Sequence, residues 1–199
     1  MFPDRCLSVI IKKKKTKRII AAWLELDLFL SSCFPPFVWA SEIYQNGAPF
    51  QTDTGITYNN NITNISTTTT NQAGTVGINT FGKFNVTQGD IVNFNLINNQ
   101  SKLANLIFDS SASQINGIVN SYMNGQIGGD VLFANPNGFV VGAAGVFNVG
   151  SLTLITPTED FMKSLFSGNA NNPTVVNDKL NSLITFNMNG SDYLLLGGG

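Results

Sequence analysis

The chain has 199 residues, enough for one domain with a real core. It contains no histidine, which excludes Ser-His-Asp and Cys-His nucleophile systems and histidine-bearing zinc sites. The net charge of −1 hides an asymmetry: residues 1–40 carry seven Lys/Arg against three Asp/Glu, whereas residues 41–199 carry four Lys, no Arg and nine Asp/Glu.

The basic end has the form of a secretory leader. A lysine-rich run at 12–18 is followed by a mostly apolar stretch at 19–30, and Val38-Trp39-Ala40 offers a cleavage site before Ser41. Residues 1–40 are therefore expected to be a signal peptide with an extended basic front, cut between Ala40 and Ser41. Leu30-Ser31-Ser32-Cys33 resembles a lipoprotein cleavage box and leaves acylation at Cys33 as a competing outcome. A retained membrane helix is disfavoured by Glu25 and Asp27, since an Asp at a helix centre costs roughly 2.5–3.5 kcal/mol on insertion scales. Nucleic-acid contact by the lysines is disfavoured too, because no basic surface recurs later in the chain. Both cysteines, Cys6 and Cys33, belong to the leader, so the body has no disulfide and must be stabilised by burial and hydrogen bonds.

From Ser41 onward Asn, Thr, Gly, Val, Ile and Phe dominate. Residues 59–72 are low in complexity but keep Ile62 and Ile65, and are expected to form an irregular strand and loop near the surface. Brief apolar segments then follow, bounded by Gly and Asn: 76–78, 84–86, 91–96, 103–108, 115–119, 131–133, 139–141, 146–149 and 152–155. Several alternate apolar and polar residues, most clearly Val92-Asn93-Phe94-Asn95-Leu96. Short strands with frequent turns fit a sandwich, a barrel or a β-solenoid. The turn residues favour a solenoid, because stacked Asn side chains can hydrogen-bond up a column. No strict repeat is visible, so the residues leave solenoid and sandwich open.

Asn135-Pro136-Asn137-Gly138-Phe139 is the sharpest local signal. Asn135 suits the first position of a tight turn, Pro136 presets φ at the second, Asn137 is expected to take the left-handed conformation, and Gly138 relieves crowding at the exit. Further on, Thr156-Pro157-Thr158-Glu159 predicts a helix with Thr156 as N-cap, Pro157 at its first position and Glu159 closing a capping box. Phe161, Met162, Leu165 and Phe166 mark its buried face and Gly168 its stop. A second short helix is expected around 176–183. The chain runs out in an apolar stretch at 193–196 followed by glycines. This reads as a domain that is C-terminally incomplete.

The acids are scattered. Glu159 and Asp160 form the only adjacent pair in the body, read as first-turn charges complementing the helix dipole. Asp90 and Asp109 read as turn residues. No cofactor, metal site or catalytic group is expected.

The turn and its flanks resemble the filamentous haemagglutinin-type two-partner secretion (TPS) domain, also called the haemagglutination activity domain. Its members carry an Asn-Pro-Asn-Gly-Ile signature, matched here with Phe139 for Ile, followed by Gly145-Val146-Phe147-Asn148-Val149 and Leu152-Thr153-Leu154-Ile155-Thr156. The resemblance runs from about Tyr44 to Thr158 and includes Phe81-Gly82-Lys83-Phe84-Asn85-Val86 and Ser113-Gln114-Ile115-Asn116-Gly117. The upstream Asn-Pro-Asn-Leu motif of many members is missing at 96–103, which points to a different subgroup. The resemblance implies an all-β fold, a right-handed parallel β-helix with a capped N-terminal end and a short helical excursion, spanning 41–199.

It also implies a secretion-recognition module that is not an enzyme. After export by the Sec translocon, the domain would engage a cognate POTRA-bearing outer-membrane pore and fold outside, secreted or held at the cell surface. An adhesin- or haemolysin-like passenger, with a host-cell surface or glycan as target, would follow the domain; no nucleic-acid partner is implied. Residues 135–139 would be the secretion motif, contacting the pore or nucleating the β-helix. Two other readings stay open: a free-standing surface adhesin or structural β-helix, and a polysaccharide-acting β-helix enzyme.

Overall fold

A computed structural model describes residues 40–185. The basic leader before Ala40, Cys6, Cys33 and the apolar run at 193–196 lie outside the described residues.

Strand follows strand around a three-sided coil. The first side stacks β3 (Ile62–Thr67), β6 (Ile91–Leu96), β9 (Ile118–Met123) and β13 (Val146–Asn148), all parallel. The second stacks β4 (Val76–Phe81), β7 (Lys102–Ile107), β11 (Asp130–Ala134) and β14 (Ser151–Ile155), also parallel. The third stacks β5 (Lys83–Asn85), β8 (Ser113–Ile115) and β12 (Phe139–Val141); Val86 bridges Ile115 and β8 pairs with β12. This is a parallel β-helix. Along the first side, Ile62 pairs with Ile91, Ile91 with Ile118, and Ile118 with Val146, so the coils are 29, 27 and 28 residues long.

The repeat that eye and composition missed is carried by this register. Each coil places an asparagine two residues after its aliphatic entry residue on the first side, and the four amides form a column. Asn93 Nδ2 donates to Asn64 Oδ1 at 3.0 Å, Asn120 Nδ2 to Asn93 Oδ1 at 2.9 Å, and Asn148 Nδ2 to Asn120 Oδ1 at 2.8 Å. A second, fully buried ladder runs inside the coil. Thr54 donates to Asn79, Asn79 Nδ2 donates to Asn105 Oδ1 at 2.8 Å, and Asn105 Nδ2 donates to the Leu132 carbonyl at 3.2 Å. The stacked-amide expectation is met by both columns.

Period-two alternation explains the interior. Val92, Phe94 and Leu96 point inward while Ile91, Asn93 and Asn95 stay partly exposed. The inward aromatics from different coils pack tilted or edge-on against one another: Phe84 lies 5.3 Å from Phe133, Phe94 5.7 Å from Phe133, and Phe133 5.9 Å from Phe147. Such pairs add about 0.5–1.5 kcal/mol each beyond their buried area.

The N-terminal end is sealed on all three sides. Strand β2 (Thr54–Asn59) runs antiparallel to β3, and β1 (Glu42–Tyr44) runs antiparallel to β5. The edge of β4 is met by Thr70, which bridges Gly77, and by Thr52, which exchanges hydrogen bonds with Thr80. The Tyr58 hydroxyl ties the hairpin to the Ile43 carbonyl, and burial raises the Tyr58 pKa. The segment 59–72 is a strand followed by a loop, but the strand is regular. Ile62–Thr67 lies between β2 and β6, with Ile65 and Thr67 buried.

The outer face of the second side is covered. Val76, Ile78, Ala104, Leu106, Leu132 and Ile155 pack against Met162, Leu165, Phe166, Leu180 and Leu183. The covering elements are helix α1 (Glu159–Lys163), the hairpin β15 (Phe166–Asn169) with β16 (Asn172–Val175), and helix α2 (Asn177–Ile184). The helical excursion and the second helix stand as expected, but the capping differs. Thr158, not Thr156, is the N-cap, with its side chain accepting from Phe161 N, and Pro157 lies before the helix. Ile155 is still held in the sheet and its carbonyl accepts from Asn135 N, so the chain leaves the sheet too late for Thr156 to cap. Nor does Gly168 stop the helix. It sits in the β15–β16 hairpin at φ +85°, and α1 ends at Lys163, so Leu165 and Phe166, expected on its buried face, are buried but lie beyond it, Phe166 opening β15.

Candidate functional site: the third-coil corner

The Asn-Pro-Asn-Gly stretch is the corner at which the third coil turns from β11 into β12. Asn135 is fully buried and every polar group on it has a partner. Its N–H donates to the Ile155 carbonyl of the coil above at 3.1 Å, and its carbonyl accepts from Gly138 N at 3.0 Å, closing the turn. Its Oδ1 accepts from Asn137 N at 2.8 Å. Its Nδ2 donates downward to the Ser111 carbonyl at 3.1 Å and to Ser113 Oγ at 3.0 Å. One amide therefore shapes its own turn and joins three consecutive coils.

The left-handed position falls on Gly138, at φ +85°, and not on Asn137. Asn135 Oδ1 holds the Asn137 N–H in an Asx turn, and the reversal is completed one residue later, where glycine carries no steric cost. Asn137 is exposed, and its Nδ2 donates to the Asp109 carbonyl at 2.7 Å. Pro136 is partly exposed. Phe139 is half-buried with its ring edge-on to Phe133 at 6.4 Å. The five motif residues thus divide: Asn135 and Gly138 face the fold, Phe139 joins the aromatic core, and Pro136 and Asn137 face outward.

The corner beneath is built to the same plan. Asp109 Oδ1 accepts from Ser111 N at 3.1 Å and from Ser111 Oγ at 3.0 Å, an Asx turn stacked under the Asn135 turn. Asp109 Oδ2 is buried without a hydrogen-bond partner. Both Asp90 and Asp109 occupy turns as expected, yet each does more. Asp90 holds Ser41: its Oδ2 accepts from Ser41 N at 2.9 Å and from Ser41 Oγ at 2.6 Å. Ser41 is thereby built into the first coil, with Ala40 exposed beside it.

The other phrases of the resemblance also occupy tight places. A Cβ on Gly82 would lie 1.7 Å from the Asn46 carbonyl oxygen, and one on Gly117 would lie 2.4 Å from the Thr87 carbonyl oxygen. Phe81 and Phe84 are fully buried. Sequence reasoning missed Ser111, Ser113 and the Ser41–Asp90 contact. Serine in a polar loop carries no local mark of a partner about 22 residues away. The asparagine column did leave a trace, in the recurring aliphatic-x-Asn triplets that begin at Ile62, Ile91, Ile118 and Val146.

Charges near these corners are sparse. Glu42 has a lowered pKa, chiefly from its hydrogen bond to Lys83, at 3.1 Å, and next from Asn85. Asp130 has a lowered pKa from hydrogen bonds to Lys102, then Ser151. Among the described residues no group of three or more His, Cys, Asp or Glu is placed to hold a metal ion, and no helix is long and apolar enough to cross a membrane.

No curated protein matches this chain. The family profile described as the TPS secretion domain matches residues 41–195, beginning at the residue that follows Ala40 and spanning every coil of the β-helix. The chain belongs to the TPS secretion domain family, the recognition modules of two-partner secretion.

Proposed function

We propose that residues 41–199 are the export module of a secreted adhesin- or haemolysin-like exoprotein, and that residues 1–40 are its signal peptide, cut after Ala40. The Sec translocon delivers the chain to the periplasm, and a cognate outer-membrane pore with POTRA domains passes it to the outside. Extended segments with free backbone groups add as strands to a sheet edge of the partner while the chain is unfolded. Folding outside then makes the passage one-way. Host-cell surface or glycan binding would belong to a passenger.

The observation that carries this reading is the family match over the whole β-helix, beginning at Ser41. The motif supports a role through folding: Asn135 is buried and bonded to the coils on both sides, and Gly138 holds the left-handed turn. The test is export with and without the pore. With the pore present the chain reaches the medium beginning at Ser41. Without it the processed chain stays in the periplasm. Equal secretion in both strains would contradict the proposal.

A further inference from the structure

We infer that the mature N-terminus is a latch. The Ser41 ammonium that leader removal creates pairs with Asp90 and fastens β1 across the first coil. This rests on the reading of residues 1–40 as a cleaved leader.

The geometry comes from both sides of the contact. Ser41 N and Ser41 Oγ both donate to the same oxygen, Asp90 Oδ2, at 2.9 and 2.6 Å, and Ser41 Oγ accepts from Thr87 N at 2.9 Å. Asp90 itself is fixed, its N–H donating to the Thr87 carbonyl at 3.0 Å and its carbonyl accepting from Ile118 N at 2.9 Å. The carboxylate is therefore aimed at Ser41 by the turn between β5 and β6, and that turn is anchored to Ile118 at the start of the third coil.

Charge makes the contact specific. The lysines that form ion pairs among the described residues, Lys83, Lys102 and Lys163, are engaged by Glu42, Asp130 and Glu159, and none of them meets Asp90. Among the described residues, the groups hydrogen-bonded to the Asp90 carboxylate are those of Ser41. While a leader is attached, Ser41 N is a neutral amide and gives Asp90 an ordinary hydrogen bond. Once the leader is cut, the same nitrogen is an α-amino group, a type that is mostly protonated at neutral pH, with an ordinary pKa of about 7.7–8.0. Hydrogen bonds between ionised partners are roughly twice as strong as neutral ones. Cleavage thus completes the first coil electrostatically, and the leader-bearing chain has a weaker N-terminal seal than the processed one.

The consequence suits export. Strand β1 pairs with β5 immediately after the latch, at Glu42 with Asn85 and Ile43 with Phe84. Ile43 and Phe84 are both buried. Tightening Ser41 therefore tightens the entry strand of the aromatic core, and does so only after the leader is gone.

The test compares chains that differ only at their N-terminus. Every strand of the described β-helix lies after Ser41, so a chain that starts there keeps all of its coils. The first chain starts with a free Ser41, the second carries an acetyl group there, and the third keeps Ala40 in front of it. Acetylation leaves an N–H but removes the charge. The free-Ser41 chain is expected to melt about 2–4 °C above the other two, and this gap is expected to close when all three carry Asp90→Asn. A Ser41→Ala set keeps the ammonium without the hydroxyl and is expected to keep the gap between free and acetylated chains.

Equal melting of free and acetylated chains, or a gap that survives Asp90→Asn, overturns the latch. A retained Ala40 that melts with the free-Ser41 chain overturns it as well, since the latch needs the charge at Ser41 N. N-terminal sequencing of the secreted protein tests the leader reading separately. A different native N-terminus refutes that reading, while the melting comparison still decides whether an ammonium at Ser41 engages Asp90.

Discussion

The two corners stacked between the second and third sides of the coil share an Asx turn, opened by an acid below and by the corresponding amide above. In the lower corner Asp109 caps Ser111 N, and in the upper one Asn135 caps Asn137 N. Asp109 offers only acceptors, and its second oxygen is left buried and unpartnered. Asn135 replaces that oxygen with an NH2 group, which donates to Ser111 and Ser113. The upper corner has the Ser111 carbonyl and the Ser113 hydroxyl below its side chain. The carbonyl can only accept, so a buried side chain above it is best satisfied by one that accepts on one side and donates on the other. The difference explains why asparagine stands at the first motif position: its amide is a two-sided connector between coils.

Exchanging the connector for its acid should have the largest effect. Asn135→Asp keeps the Asx acceptor but aims a second oxygen at the Ser111 carbonyl, which can only accept, inside a fully buried site. Stability at neutral pH should fall by about 3–5 kcal/mol. Burial raises the pKa of the new carboxyl above its unfolded value. The ionised form therefore weakens the fold at high pH, and the deficit should shrink as pH falls through the folded pKa and the group regains a proton to donate. Denaturant titrations across pH would show this. A deficit independent of pH would mean that the loss is steric.

Gly138→Val comes next. A β-branched residue at φ +85° is strained by about 1–3 kcal/mol, although the space around the position is open. Asn137→Val should cost less, about 0.5–1.5 kcal/mol, because it removes one hydrogen bond to the Asp109 carbonyl and meets no left-handed backbone. Equal losses at the two positions would contradict the assignment of the reversal to Gly138.

The lower corner gives the smallest effect. Asp109→Asn keeps the oxygen that caps Ser111 and exchanges one unpartnered buried polar group for another, so stability should change by less than about 1 kcal/mol. Thermal melts of the variant against the parent would measure it. A loss comparable to that of Asn135→Asp would show that the two corners are not built on the same logic.

How much of this could be read beforehand follows from range. The turn at 135–138 was legible because Asn, Pro and Gly act on their own backbone. The placement of the left-handed residue was not, since Asn137 and Gly138 both tolerate it and the Asn135 side chain decides between them. The solenoid became legible through family resemblance and not through periodicity. Coils of 29, 27 and 28 residues drift by more than the period-two pattern of a strand allows. Asn64, Asn93, Asn120 and Asn148 each look like an ordinary turn or edge residue until the register aligns them. The helix start failed for a related reason. Capping chemistry at Thr156 was read locally, while a hydrogen bond from Asn135 to Ile155 kept that stretch in the sheet.

Secretion of single variants in the presence of the pore tests most directly whether the motif acts through the fold. Secretion of Asn135→Asp, Gly138→Val and Asn137→Val should fall in the order of their stability losses, with the processed chain retained in the periplasm. Asn137→Gly, which loses the same hydrogen bond to Asp109, should be secreted about as well as Asn137→Val. An Asn137→Gly chain at least as stable as Asn137→Val yet not secreted would contradict the account, and would place recognition on the exposed face of the turn.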